Sequence, residues 1–169
     1  TIILGIFALP LIILYPFLKR FTYWPQLFLG IVFNWGVLIV SMQFMGSLTF
    51  FFIILYIGCI FWTLAYDTIY AYQDQKDDII SNIKSTAVLF ESNGKIFVMS
   101  FYSIFLLIIG YIGFQNSASI ISIFVIFLFL IAIIFIINKW DIKSRNSSNL
   151  FFRLNNYFGL LCFMYLLVF

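Results

Sequence analysis

The charges of this chain are sorted by position. Apolar runs divide it into six segments, near residues 2–14, 24–40, 48–66, 96–114, 120–137 and 154–169. Connections that carry basic residues alternate with connections that carry none. Lys19 and Arg20 follow the first segment, Lys76, Lys84 and Lys95 the third, and Lys139, Lys143, Arg145 and Arg153 the fifth. The connections 41–47 and 115–119 have no charge. All nine basic residues therefore fall on one side if each segment crosses a barrier. The positive-inside rule places that side in the cytoplasm, or in the matrix of a mitochondrion. A missed or extra crossing would scramble the alternation. Most runs reach the ~17–20 residues that span a bilayer, and the first and last are shorter.

Composition agrees. With 64% hydrophobic and 9% charged residues, the chain has far more apolar surface than a soluble domain of 169 residues can bury. The runs are too long for strands and do not alternate with period two. The expected fold is all-α, a polytopic transmembrane bundle of about six helices forming one domain over residues 1–169. Its surroundings are the lipid bilayer of a bacterial inner membrane or a mitochondrial inner membrane. There is no histidine, which excludes imidazole catalysis and His-ligated zinc or haem. Cys59 and Cys162 lie inside apolar runs and read as packing residues. The net charge of +3 is explained by topology and calls for no nucleic-acid partner. The chain begins at Thr1 in an apolar run, with neither a basic leader nor a small-residue cleavage site, and reads as lacking an N-terminal part.

Four of the six acidic residues occur in the twelve positions from Asp67 to Asp78. Carboxylates beside a bilayer are costly and usually functional. On one continuous helix, Asp67, Asp74 and Asp78 would lie within roughly 40° of one another with Tyr70 beside them, and Lys76 would point away. Such a stripe suits a hard divalent cation such as Mg²⁺, which takes one or two carboxylates and completes its shell with water and phosphate oxygens. Lys19 and Arg20, on the same side, could take other oxygens of a diphosphate. Pro16 biases Tyr15 away from helical geometry, so Lys19 and Arg20 are expected just past a kink. Asn146-Ser147-Ser148 matches a glycosylation sequon but falls on the expected cytoplasmic side. Asn155 and Asn156 either cap the last helix or line a cavity, and the cap is the expectation.

The stretch Asp67-Thr68-Ile69-Tyr70-Ala71-Tyr72-Gln73-Asp74-Gln75-Lys76-Asp77-Asp78, with Ile83-Lys84-Ser85-Thr86-Ala87 after it, resembles the second Asp-rich motif of the UbiA prenyltransferase superfamily. Tyr15-Pro16-Phe17-Leu18-Lys19-Arg20-Phe21-Thr22-Tyr23-Trp24-Pro25 and Phe33-Asn34-Trp35-Gly36 resemble its 4-hydroxybenzoate polyprenyltransferase branch, as does Asn155-Asn156-Tyr157-Phe158-Gly159. The resemblance implies nine transmembrane helices around a central cavity. It implies Mg²⁺-assisted ionisation of a polyprenyl diphosphate and attack of the allylic cation on the ring of 4-hydroxybenzoate, in ubiquinone synthesis. Asp74 and Asp78 would hold Mg²⁺, with Asp77 and Asp67 nearby. Tyr15 and Lys19 match a Tyr-x-x-x-Lys element whose lysine contacts diphosphate. Arg20 matches an active-site arginine. Asp74, Lys19 and Arg20 are the candidate catalytic residues, and Tyr15, Tyr70 and Lys84 join Lys19 and Arg20 as candidate substrate contacts.

The family's first Asp-rich motif, Asn-Asp-x-x-Asp-x-x-x-Asp, is not in this sequence. The six segments correspond to helices four to nine, so three helices and half of the metal site are missing; a missing N-terminal fragment is a candidate partner, and the isolated chain is expected to be inactive. A non-catalytic membrane remnant, a cation- or lipid-binding bundle, and another UbiA-type prenyltransferase are the alternatives.

Overall fold

A computed structural model describes residues 1–117 and 119–168. Ala118, in the uncharged connection, and Phe169, expected to close the sixth segment, lie outside the described residues. Among these residues the chain forms α1 (Ile2–Leu18), α2 (Pro25–Phe33), α3 (Gly36–Met45), α4 (Phe50–Ala71), α5 (Gln75–Ile80), α6 (Thr86–Phe90), α7 (Gly94–Ser117), α8 (Ile120–Asn138) and α9 (Arg145–Val168), and no strand. A 3-10 turn over Glu91–Asn93 joins α6 to α7. The all-α expectation holds. Five stretches are long and apolar enough to cross a membrane: Pro25–Met45, Phe50–Ala71, Thr86–Asn116, Ile120–Asn138 and Arg145–Val168. The remaining expected segment, the first, is α1, a shorter apolar helix of 17 residues.

Tertiary contacts move several boundaries. α9 starts at Arg145, well before the apolar run at 154. Its polar opening reads as loop, yet Ser148 is buried and its Oγ accepts from the Trp140 indole N–H at 3.0 Å. The Asp141 N–H donates to Ser147 Oγ at 3.0 Å. Asn155 and Asn156 therefore lie inside α9, and the expected cap is corrected. Asn146 of the sequon falls in the first turn of the same helix. α1 runs through both Pro10 and Pro16, so Tyr15 stays helical; Lys19 caps α1 with helical φ and ψ, and Arg20 sits in the turn after it. Apolar surroundings favour backbone bonds made within the helix over an open kink.

The second span is broken at Asn34. Its side-chain amide donates to Gly30 O at 2.8 Å, to Cys59 O at 3.2 Å and to Thr63 Oγ1 at 2.8 Å, which ties the break to α4. Gly46 ends α3 at φ 71°, a left-handed geometry that suits glycine.

α4 is the hub, packing against α2, α3, α6, α7 and α9, and α7 also packs on α8. Leu64, Ala65 and Ile69 of α4 meet Val98, Tyr102, Phe105 and Leu106 of α7 in the core. Gly159 lets α9 approach α4: a Cβ there would stand 2.6 Å from Cζ2 of Trp62. Large apolar side chains elsewhere, such as Ile2, Phe44, Ile120 and Leu167, are exposed, as a lipid-facing surface requires.

Candidate functional site

Two connections build the charged end of the bundle. After α4 the chain turns at Tyr72–Asp74 before α5 begins. The Tyr72 hydroxyl donates to Glu91 O at 2.6 Å, and Gln75 Nε2 donates to Ala87 O at 2.6 Å. These bonds hold α5 against the connection that leads to α7. They also end the helix, so the carboxylate stripe expected on one helix face does not form: Asp67 belongs to α4, Asp74 to the turn, and Asp77 and Asp78 to α5.

The segment after α5 folds back on the end of α1. Asn82 adopts a left-handed φ of 54° to make the reversal. The Lys84 N–H donates to Lys19 O at 2.9 Å, and its Nζ donates to Phe21 O at 3.2 Å while lying 5.3 Å from the centre of the Tyr23 ring. Thr86 anchors the segment from below: its N–H donates to Gln26 Oε1 at 3.1 Å, and its hydroxyl pairs with Thr68 Oγ1 at 2.8 Å.

The result brings together residues from four places in the chain. Lys19 is within electrostatic reach of both Asp67 and Asp78, and Tyr15 is within reach of Asp67. Burial lifts the Asp78 carboxyl above its ordinary range, and its neighbours Asp74 and Asp77 add to the lift. The Ser85 hydroxyl, hydrogen-bonded to it, and the Lys19 ammonium pull the other way. Sequence reasoning missed Ser85, although it sits in a quoted motif.

Other expected residues point elsewhere. Asp74 Oδ1 accepts from the Arg145 guanidinium at 3.2 Å, an ion pair with the start of α9 that the sequence did not signal. Asp77 is exposed. Tyr70 lies with its ring centre 5.0 Å from that of Phe152. Arg20 is exposed in its turn. No three carboxylates or cysteines gather into a metal-holding group among the described residues. The donors are nevertheless of the right kind, since carboxylate oxygens suit Mg²⁺ and one or two suffice when phosphate oxygens supply the rest.

One turn below Asp67 begins a cavity of about 520 Å³ between α2, α4 and α9, lined by Phe33, Asn34, Trp62, Tyr66, Phe152 and Asn156 among others. Its walls are chiefly aromatic. Trp62, Tyr66 and Tyr70 recur every four residues on one face of α4, and Phe152 packs on both tyrosines. Asn155 fixes the floor: its Oδ1 accepts from Trp62 Nε1 at 2.8 Å and from the Tyr102 hydroxyl at 3.0 Å. Tyr66 of the cavity directly precedes Asp67, and charged groups next to an apolar, aromatic slot suit a ligand with an anionic head and a hydrocarbon tail.

Comparison with known proteins gives the same direction. A family model described as the UbiA prenyltransferase family matches residues 1–165. The mitochondrial 4-hydroxybenzoate polyprenyltransferase of Dictyostelium discoideum is 47% identical over 102 residues, 60% of this chain and 22% of that protein. The protein of the same name from Aedes aegypti is 46% identical over 102 residues, 60% of this chain and 23% of its own length. A 4-hydroxybenzoate geranyltransferase 2 from Lithospermum erythrorhizon is 47% identical over 102 residues, covering 60% and 33%. The match thus spans between about a fifth and a third of each relative. No solved structure matches the chain.

Proposed function

Because the chain belongs to the UbiA prenyltransferase family, we propose that it forms the membrane-embedded part of an enzyme that moves a polyprenyl group from its diphosphate to 4-hydroxybenzoate, in ubiquinone synthesis. The observation that carries the reading is Lys19 within reach of Asp67 and Asp78, with Tyr66, the residue before Asp67, lining the aromatic cavity. The names of the relatives supply the acceptor.

Asp74 and Asp78, with Asp77 and Asp67 nearby, would hold Mg²⁺, which would neutralise the diphosphate as it leaves. Lys19 binds the diphosphate oxygens, and its backbone carbonyl accepts from the Lys84 N–H, which fixes where its side chain starts. Lys84 adds positive charge beside it. Tyr15, within reach of Asp67, and Tyr70, packed on Phe152 of the cavity wall, are the proposed contacts for the first isoprene unit. Arg20 is adjacent in sequence but free to reach the carboxylate of the aromatic acceptor, which its planar fork can take in two hydrogen bonds. Trp62, Tyr66 and Phe152 exclude water and present ring faces to positive charge developing on the prenyl carbon.

The sequence carries one Asp-rich stretch, and we propose that turnover needs opposing carboxylates from a complementing segment. The test is prenyl transfer by purified chain with Mg²⁺, a polyprenyl diphosphate and 4-hydroxybenzoate, with and without a segment bearing Asn-Asp-x-x-Asp-x-x-x-Asp. Product only in the complemented reaction is expected. Product from the chain alone removes the need for the segment, and no product in either reaction overturns the assignment.

A further inference from the structure

Two carboxamides line the aromatic cavity of about 520 Å³ from different helices: Asn34 from the break between α2 and α3, and Asn156 from midway along α9. The N–H groups of Asn34 are taken by Gly30 O, Cys59 O and Thr63 Oγ1. That fixes which way the amide faces. Turned over, Oδ1 would meet two backbone carbonyls, acceptor against acceptor. Oδ1 itself makes no hydrogen bond among the described residues, and it is not shut away in the protein: the buried side-chain atom left without a partner there belongs to Gln73. Asn156 is exposed, and its side-chain amide bonds nothing among the described residues.

Polar groups within a membrane span are costly and mark routes for substrate. The proposed prenyl tail has no polar atom. Alone in the cavity it would expel water and leave both amides bare. The other substrate carries the complementary group, a phenol hydroxyl that both donates and accepts. We propose that Asn34 and Asn156 bind this hydroxyl, with Asn34 Oδ1 accepting from its O–H and the Asn156 amide donating to its oxygen. The inference rests on the reading above that the acceptor is a hydroxybenzoate, and it names the residues that select it. Burying a carboxylate costs far more than burying a hydroxyl. The acid group therefore stays on the charged side, where Arg20 is proposed to take it, and the hydroxyl enters first. The ring then lies among Trp62, Tyr66 and Phe152, whose own rings give it faces and edges to pack on. Asn34 Oδ1 thus serves selection, while its N–H groups serve the fold.

The experiment uses the chain with the complementing segment in nanodiscs, with Mg²⁺ and an unreactive polyprenyl thiolodiphosphate. It measures displacement of labelled 4-hydroxybenzoate by 4-fluorobenzoate, which lacks the donor at nearly the same size, and by 4-aminobenzoate, which keeps it. A site built around a hydroxyl rejects the analogue without it. 4-Fluorobenzoate should bind tenfold or more weakly than 4-hydroxybenzoate, and 4-aminobenzoate within a few-fold of it. Asn156→Leu, which gives up no bond within the protein, should weaken 4-hydroxybenzoate several-fold and 4-fluorobenzoate less than twofold. Asn34→Leu also loses three structural bonds, so its readout is the ratio of the two ligands, which should fall to within twofold of one. A purely structural role would weaken both ligands alike and leave the ratio as it is in the unaltered chain. Equal binding of 4-fluorobenzoate and 4-hydroxybenzoate by the unaltered chain overturns the inference and leaves the proposed transfer reaction standing, as does a ratio that neither variant changes. Binding of no benzoate at all overturns the acceptor assignment and this inference with it.

Discussion

The Trp62 indole donates to Asn155 Oδ1 at 2.8 Å across 93 residues of sequence, and so joins α4 to α9 at the floor of the aromatic cavity. The same oxygen accepts from Tyr102, so one amide serves two buried donors. Asn155→Leu leaves both donors without an acceptor. The expected cost is about 2 kcal/mol, from a range of roughly 1–3 for an unsatisfied buried group, larger than the ~0.6 average for a single interhelical bond in a membrane. Thermal unfolding in detergent measures it. A loss near zero would mean that the two donors find other partners.

Gly159 gives a steric test of the same junction. A Cβ at this position would meet Trp62 at 2.6 Å, so Gly159→Ala must push the indole toward the cavity. Overpacking of this kind costs about 1–3 kcal/mol. In a complemented enzyme it should raise KM for the prenyl diphosphate more than KM for 4-hydroxybenzoate. Equal changes in both would place the prenyl chain elsewhere.

Asp74 and Asp78 diverge, one toward Arg145 and the other toward Ser85 and Lys19. Arg145 therefore competes for a proposed metal ligand. The pair is exposed, and its loss in Arg145→Gln should change stability by less than about 1 kcal/mol. The Mg²⁺ concentration for half-maximal turnover should fall several-fold. A rise would mean that Arg145 helps to hold the metal complex.

Asp78→Ala and Asp74→Ala should each lower Mg²⁺-dependent turnover by a hundredfold or more, and Asp67→Asn should cost less, because Asp67 belongs to α4 and not to the turn and α5 that carry the other two. Steady-state kinetics in the complemented enzyme decides it. Equal losses at Asp67 and Asp78 would move the metal toward Lys19.

The sidedness of the bundle has its own measurement. With Cys59 and Cys162 changed to serine, a cysteine at Lys143 and one at Gln115 should react with an impermeant maleimide from opposite sides of sealed vesicles. Labelling from the same side would remove the topology.

Hydropathy and charge alternation made the spans legible, because each apolar run states its own need for lipid. The ends of the spans were not legible in the same way. α4 ends at Ala71 through Tyr72 and Gln75, whose partners Glu91 and Ala87 come from a later connection. No local signal contains that contact, so Asp67, Asp74 and Asp78 looked like one stripe. The opening of α9 looked like a loop because Arg145–Asn149 are polar, and only Trp140 bonding Ser148 shows why they are helical. Asn155 was readable as a polar residue needing a role, yet its partners Trp62 and Tyr102 lie far away in sequence. Lys19 was singled out by motif, whereas its tether to Lys84 required the folded backbone.

The break at Asn34 bears on how the bundle is assembled during synthesis. An amide in mid-span is a poor passenger for a bilayer until its N–H groups are occupied, and irregular backbone at that depth persists only inside protein. Two of its acceptors, Cys59 O and Thr63 Oγ1, belong to the next span and emerge from the ribosome later. Pro25–Met45 should therefore wait at the insertion machinery for Phe50–Ala71, and the two should enter lipid as a hairpin. Asn34→Leu would release the first to partition alone.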